Sequence, residues 1–508
     1  MITEILIFII TTLIGYYLYV YKKIHNHFKE RDVKFLPGVP FFGNAFNSIV
    51  LRKHLIDDLY AVYKAFPGER YVGYIEGITP VILMRDPELM KTITIKDFDH
   101  FPDHKEFFSE EMEPLFGESL IMMKGNKWRE MRTTLSPAFT GSKLRQMMPF
   151  MQVISKNIVD YLKDQNGKDV DVDDVMHRFT TDIAASTAFG LEVNSLKDRD
   201  NEFLTMGQGL FKFSTLQRVY QFFCSQFPGL TKKLRFTVSH TKVTKFYMNL
   251  VSSTMEFRKK NNVTRPDMIQ LLMEASKGTS NAENDDHDAR GREWTLVQLA
   301  SQALTFFVGS FETSASTMTM CLHELAIHPD IQEKLYQEVK EFMENHKLSF
   351  ENVKELKYMD CVLNETFRKW SVAIVMDRVC NKTYDLPPAH DGGKPYRLNP
   401  GDIVYNVVNA IQMDPEYFPD PEVFNPDRFF EDNKQNIKPF TFNPFGLGPR
   451  ACIGMRFALL ELKILLLELI SNFKILKCEK TAEPIKLQAV DFNIKAQGGT
   501  WIKFEPRN

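Results

Sequence analysis

The hydrophobic pattern changes character twice near the start of this chain. Residues 2–21 are apolar almost without a break, Glu4 being the one charge among them. About twenty helical residues span roughly 30 Å, the thickness of a bilayer's hydrocarbon layer. Bulky Tyr16, Tyr17, Tyr19 and Tyr21 run up to the end of the stretch, and no small-residue cleavage site comes after it. It therefore reads as a retained transmembrane anchor rather than a cleaved signal peptide. Lys22, Lys23, Lys29, Arg31 and Lys34 come next, and the positive-inside rule places the main body of the chain in the cytosol. Residues 35–44 (FLPGVPFFGN) carry enough proline and glycine to predict a stiff, non-helical link. Beyond them helical periodicity dominates, above all over 128–370. Strand-like stretches are few: 70–75, 80–84, 403–408, and a late pair at 492–495 and 500–504.

One predicted helix stands out. Thr295 with Gln298 three residues on forms a capping-box pattern, and an apolar run extends from Leu299 to about Ile327, before Pro329. Its middle reads Phe306-Phe307-Val308-Gly309-Ser310-Phe311-Glu312-Thr313. Before this helix, 277–292 is polar, acidic and aperiodic, which predicts a solvated loop. There are no internal repeats. The chain divides into an anchor (1–21), a basic and Pro/Gly-rich linker (22–44) and one large body (45–508).

Composition narrows the class. Of 508 residues, 44% are apolar and 25% charged, ordinary for a large globular core. A net charge of −2 gives no sign of a nucleic-acid partner. The six cysteines are scattered without paired spacing, which suits a reducing compartment and excludes a disulfide framework or a tetrahedral zinc set.

The chemistry concentrates at Phe445-Gly446-Leu447-Gly448-Pro449-Arg450-Ala451-Cys452-Ile453-Gly454, with an apolar helical run after it. A thiolate opening a helix receives backbone N–H groups and the positive end of the dipole. Such a thiolate can ligate haem iron, and glycines let a flat ligand approach the backbone. Alone, Cys452 would more often be an inert buried thiol. Three further patterns accompany it. Glu365 and Arg368 share one helix face, an arrangement worth little at a surface. Trp128 and Arg132 lie one turn apart. Glu312-Thr313 puts an acid and a hydroxyl in the middle of an apolar helix.

Together these residues are identified with the cytochrome P450 family. The Cys452 loop matches its haem-binding loop at Phe445, Gly448, Arg450, Cys452 and Gly454. The stretch 309–314 resembles its oxygen-activating motif, and Glu365/Arg368 with Pro426-Asp427-Arg428-Phe429 resemble its structural network. The stretches 128–141 (WREMRTTLSPAFTG) and 181–190 (TDIAASTAFG) resemble insect microsomal members that handle foreign compounds.

The resemblance implies a mainly α fold with a smaller β-rich region. Haem b would be held by Cys452, with Phe445, Gly446 and Gly454 shaping the loop. Its propionates would meet Arg450, Trp128, Arg132 and Arg378. Thr313 and Glu312 would supply protons to oxygen activation. Glu365, Arg368 and Arg428 would form a buried network. The implied reaction is monooxygenation of lipophilic small molecules with O2. Electrons would come from NADPH through NADPH–cytochrome P450 reductase, with cytochrome b5 as a second donor, because the chain has no nucleotide fingerprint of its own. The implied location is the endoplasmic reticulum membrane, with membrane lipid a partner and nucleic acid not. Reductase docking is expected at Lys127, Arg129, Lys143 and Arg145.

Phenylalanine is abundant, with 42 residues. Phe108, Phe116, Phe211, Phe306, Phe307, Val372 and Gln497 are the expected pocket lining, and Phe222, Phe223 and Phe227 an expected shallow membrane contact. Two departures from the family pattern are Gly309-Ser310, for the usual Ala-Gly, and Ser371-Val372, for the usual two prolines. Two rivals remain: a haem-thiolate isomerase or dehydratase of peroxides, which tends to lose the acid–Thr pair, and a non-catalytic haem sensor.

Overall fold

The computed structural model describes residues 2–107, 110, 112–210, 214–234, 241–276, 294–489 and 493–507. The expected solvated loop at 277–292 lies outside them, as does the first residue of the expected strand at 492–495, whose described residues 493–495 form no strand. Most described residues are helical. The strands are β1 (Tyr71–Glu76), β2 (Thr79–Met84), β3 (Asp169–Asp171), β4 (Met376–Val379), β5 (Tyr384–Leu386), β6 (Tyr396–Leu398), β7 (Ile403–Asn406), β8 (Phe473–Lys477) and β9 (Trp501–Pro506). They form a four-stranded sheet, β1-β2-β7-β4, a three-stranded sheet, β3-β9-β8, and a hairpin, β5-β6. Strand β2 pairs antiparallel with β1 but parallel with β7, which is over 300 residues away in the chain. That long crossover, together with β3, β4, β5, β6 and β8, escaped the periodicity, since strands of three to five residues leave too few alternations to read.

The long central helix spans Leu296–Ile327, and its capping box forms as read. Thr295 Oγ1 accepts from the Gln298 N–H at 3.3 Å, and Gln298 Oε1 accepts from the Thr295 N–H at 3.0 Å. The main core gathers around this helix, the helix Val172–Ala184 and the last helix, Met455–Asn472.

The N-terminal helix runs Ile2–Glu30, well past residue 21, and is the one described helix long and apolar enough to cross a membrane. Its last turns leave the apolar stretch and join the body. Ile24 and Phe28 are buried with Val33 against Tyr71, Ile75 and Ile82 of the four-stranded sheet. The Pro/Gly segment behind it lies along β1, with bridges Phe35 to Gly73 and Gly43 to Glu76. This expected link is thus packed onto the sheet. Apolar residues interleaved with the lysines, Ile24 and Phe28 above all, are the reason: they cover one face of β1 and β2.

Candidate haem-thiolate site

The Cys452 loop is a tight turn that its glycines permit. The Cys452 N–H donates to the Phe445 carbonyl at 2.8 Å, closing the loop. Gly446 and Gly448 sit at φ +78° and +71°. A Cβ at Gly448 would collide with the Thr94 carbonyl, and one at Gly446 would come 3.0 Å from Met376 Sδ. Gly454 has φ −86°, so its backbone makes no such demand.

Cys452 is the exposed member of the six cysteines, although protein surrounds it closely enough that burial is the largest influence on its thiol. Burial pushes that thiol above its ordinary range, opposed by the N–H groups of Gly454 and Met455 and by Arg132. Accessible surface on a group ringed by protein means that the thiol faces an internal space. The expected helix-start N–H groups are there, but even together with Arg132 they do not outweigh desolvation. A bound metal ion would deprotonate the thiol outright.

The central helix supplies a matching opening. It is buried along most of its length, yet Gly309 and Thr313 are exposed and Thr305 half-buried. These three lie at i, i+4 and i+8, one line along the helix. Nothing lies within 4 Å of where a Gly309 Cβ would be. Next to this line, Phe306 meets Phe457 edge-on at 5.1 Å, and the Ser314 hydroxyl donates to Glu461. Both partners belong to the helix that begins just after Cys452. Ser310, the departure from the family motif, is 7% exposed, and its hydroxyl donates to the Phe307 carbonyl at 3.3 Å.

Two buried guanidiniums test whether the residues present suit haem. Arg378 is 3% exposed and donates to the carbonyl of its neighbour Asp377 at 2.6 Å, but its Nε–H has no partner. Burial lowers it to about 10. Arg450 lies close enough to feel the Arg378 charge, and burial lowers it to about 9. A buried cation with a free N–H beside a second cation calls for an anion, and a haem carboxylate would meet that need. Arg450 itself is already bonded, to the carbonyls of Pro102, Leu120 and Met123 and to Asp103, and its guanidinium lies 4.0 Å over the Trp128 ring. Arg132 donates to the Ala451 carbonyl at 2.9 Å, tying its helix to the loop.

The cytochrome P450 family model matches residues 33–501. The chain belongs to the cytochrome P450 family. It is 39% identical over 500 residues to the probable cytochrome P450 9f2 of Drosophila melanogaster, covering 95% of this chain and 96% of that one. It is also 39% identical over 507 residues to cytochrome P450 9e2 of Blattella germanica, covering 95% and 94%. Membership implies haem-thiolate monooxygenase chemistry.

This cytochrome P450 holds its cysteine loop through a relay of buried hydrogen bonds. Glu365 and Arg368, both 0% exposed, pair through two bonds of 2.7 and 2.8 Å. Arg428 Nε lies 3.4 Å from Glu365 Oε1. Arg368 also donates to the Gln412 carbonyl. The Gln412 side chain donates to the Phe367 carbonyl and accepts from the Asn443 N–H, and the Asn443 carbonyl accepts from the Gly446 N–H at 3.1 Å. Phe367 meets Phe445 edge-on at 5.0 Å. Gln412 and Asn443 carried no motif of their own in the sequence.

The expected pocket residues divide. Phe108 and Phe211 lie outside the described residues. Phe116 and Val372 are half-buried, and Gln497 is exposed on a turn, donating to the Leu487 carbonyl. Phe306 is half-buried beside the open line. Phe307 is fully buried in an aromatic cluster with Phe203, Tyr247 and Phe311, away from that line. The residues expected to dock a reductase are largely engaged: Lys127 with Glu118, Arg129 with Asp99, and Arg145 with Glu351. Phe223 is 41% exposed and packs on Phe227, while Phe222 stacks on Phe42.

The acid of the acid–Thr pair does not accompany Thr313 to the open side. Glu312 is buried and bonded to His177, with Lys495 close by. Neither partner was legible in the sequence. A second unforeseen acid is Glu461, wholly buried, whose carboxyl burial pushes up to about 8 against the Ser314 hydroxyl. Its folded value lies above the ordinary glutamate value, so the stability it allows is full in acid and falls as pH rises towards 8. Glu461→Gln keeps the shape and removes the titration. It should flatten the decline in melting temperature between about pH 5 and pH 8. Equal pH slopes in the two proteins would refute this.

Proposed function

We propose that this chain is a membrane-anchored monooxygenase. It inserts one atom of O2 into lipophilic small molecules and releases the other as water. Electrons come from NADPH through NADPH–cytochrome P450 reductase, with cytochrome b5 as a second donor. The N-terminal helix holds the chain at the endoplasmic reticulum membrane with its body on the cytosolic face. The observation that carries this reading is the line Thr305, Gly309 and Thr313, open in an otherwise buried helix that packs against the helix starting just after the accessible Cys452 thiol.

Haem, when bound, supplies the reductive activation of O2. Cys452 would ligate its iron. Arg378, Trp128 and Arg132 would take its carboxylates, and Arg450 would brace Trp128 and the loop. Gly309 leaves open space beside Thr313. Thr313 Oγ1 donates to the Gly309 carbonyl, so its lone pairs face the open space and can hold a water there. Phe306, half-buried beside the open line, favours apolar substrates arriving from the bilayer.

The test is a reconstitution with haem, reductase, NADPH and an alkyl ether of coumarin as lipophilic probe. Thr313→Ala should still consume NADPH while diverting more of its electrons into reduction of O2 to hydrogen peroxide. Product per NADPH should fall by about 10-fold or more. A haem-loaded protein that draws no electrons from the reductase would favour a sensor. One that rearranges an organic hydroperoxide without reductase would favour an isomerase. Either result overturns the proposal.

A further inference from the structure

Thr313 and the acid beside it point in different directions. Glu312 lies about 100° round the helix from Thr313 and is 4% exposed. Its Oε2 meets Nε2 of His177 at 3.0 Å, and Lys495 Nζ lies 3.5 Å from the same oxygen. His177 comes from the helix Val172–Ala184 and is 5% exposed. Its other ring nitrogen, Nδ1, donates to the Asp173 carbonyl at 2.7 Å, with the Asp173 carboxylate 3.5 Å away. Phe311, from the central helix, closes over the ring edge-on at 5.1 Å. The Thr180 hydroxyl donates to the Phe311 carbonyl at 2.9 Å and pins the two helices together beside the pair. The charged groups facing the imidazole are Asp173 on its own helix, Glu312 on the central helix and Lys495 on the C-terminal segment.

The bonding fixes how many protons the pair holds. A carbonyl only accepts, so Nδ1 carries a hydrogen in every state. Nε2 and Glu312 Oε2 then share one further proton. It sits either on the ring, giving imidazolium and carboxylate, or on the acid, giving neutral imidazole and carboxyl. Burial opposes charge on both partners. Asp173 and Glu312 outweigh it and hold His177 above the ordinary histidine range. His177 and Lys495 outweigh it and hold Glu312 below the usual carboxylate range. As a stabilising device a buried ion pair is weak. Its place one residue from Thr313 gives it a different use.

We infer that His177 is a positioning residue for proton supply: it holds Glu312 and shares with it the one proton that Glu312 passes towards Thr313. This rests on the reading of Glu312 as the acid of the proposed monooxygenase. In the step, the N–H bond at His177 Nε2 breaks and an O–H bond at Glu312 forms. The ring goes from cation to neutral and the carboxylate to acid, with no electron transferred. The Glu312 carboxyl then turns away from His177 and gives up that proton towards Thr313. The pair regains one from water reaching past Lys495, whose side chain is 20% exposed. Proton supply then comes from outside the substrate space, and its rate depends on the protonation of a histidine.

Two measurements on the full-length chain in phospholipid nanodiscs test this. The first needs no turnover: NMR of ¹³Cε1-labelled histidine. The signal lost in His177→Gln should titrate above the ordinary value of about 6.5, and in Glu312→Gln it should move down. The second is NADPH consumption by the haem-loaded protein with reductase and no added substrate, measured against pH. Glu312→Gln and His177→Gln should each slow it by roughly 10-fold. His177→Gln should also remove the histidine step from the pH profile. His177→Lys should restore a cation without that step, which a merely structural role would not produce. If Glu312→Gln slows consumption and His177→Gln leaves both rate and pH profile unchanged, this inference fails while the monooxygenase reading stands. If Glu312→Gln itself changes nothing, the acid reading fails and takes this one with it. Where His177→Gln does not fold, the signal lost in His177→Lys assigns His177, and a titration of that signal unmoved in Glu312→Gln overturns the coupling.

Discussion

Cys452→Ser abolishes the strongly red-shifted Soret band of the reduced carbon monoxide complex, and reductase-supported turnover falls by about 1000-fold or more. The physical reason is the donor set. The loop presents one sulfur, accessible from within and faced by the N–H groups of Gly454 and Met455 and by Arg132. A serine hydroxyl stays protonated at neutral pH, and as a neutral oxygen donor it binds iron weakly. The loop itself should survive the change, because its closing bond, from the Cys452 N–H to the Phe445 carbonyl, uses only backbone. The measurement is the carbon monoxide difference spectrum of parent and variant, taken together with a melting curve. An unshifted red band in the variant would mean that another residue ligates the iron, and the site would have to be rebuilt around it.

Glu365→Gln destabilises the protein by about 3–5 kcal/mol, a large share of the roughly 5–15 kcal/mol that holds a typical domain folded. The change leaves the Arg368 guanidinium wholly buried without its bidentate partner. It also weakens the acceptor that Asn425 uses from 2.8 Å away. The damage should reach the cysteine loop, because Arg368, Gln412, Asn443 and Gly446 are joined by consecutive hydrogen bonds. Arg368→Lys should do nearly as much harm, since an ammonium cannot make the paired bonds of a guanidinium. Melting temperature and haem content per chain report the effect. A Glu365→Gln protein that melts with the parent and carries a full complement of haem would show that the network is dispensable.

Much of this protein is legible in its sequence where the residues of a feature lie close together along the chain. The ten residues from Phe445 to Gly454 close on themselves, so their spacing alone fixes a turn with one thiol at its end. Thr295 and Gln298 are three residues apart, and the cap forms as read. Glu365 and Arg368 share a helix face for the same reason, and residues 2–21 form an apolar helix because their composition leaves little alternative.

Other features needed the packed chain. His177 and Glu312 are separated by 135 residues, and Ser314 and Glu461 by 147. Neither pair has a local pattern, because each forms only when two helices meet at a given rotation. That rotation also decided which side of the central helix opens. It turned Thr313 to the cavity, Glu312 to His177 and Phe307 into the core, a choice periodicity cannot make on a helix apolar all round. The last turns of the N-terminal helix likewise resemble linker in the sequence, yet Ile24 and Phe28 cover β1 and β2. The sequence by itself determined the family, the thiolate candidate and the membrane-length helix, because covalent spacing carries them. Only the tertiary structure decided that Glu312 meets His177 and how the cysteine loop is held, because buried polar groups must find partners and the nearest ones lie far away in the chain.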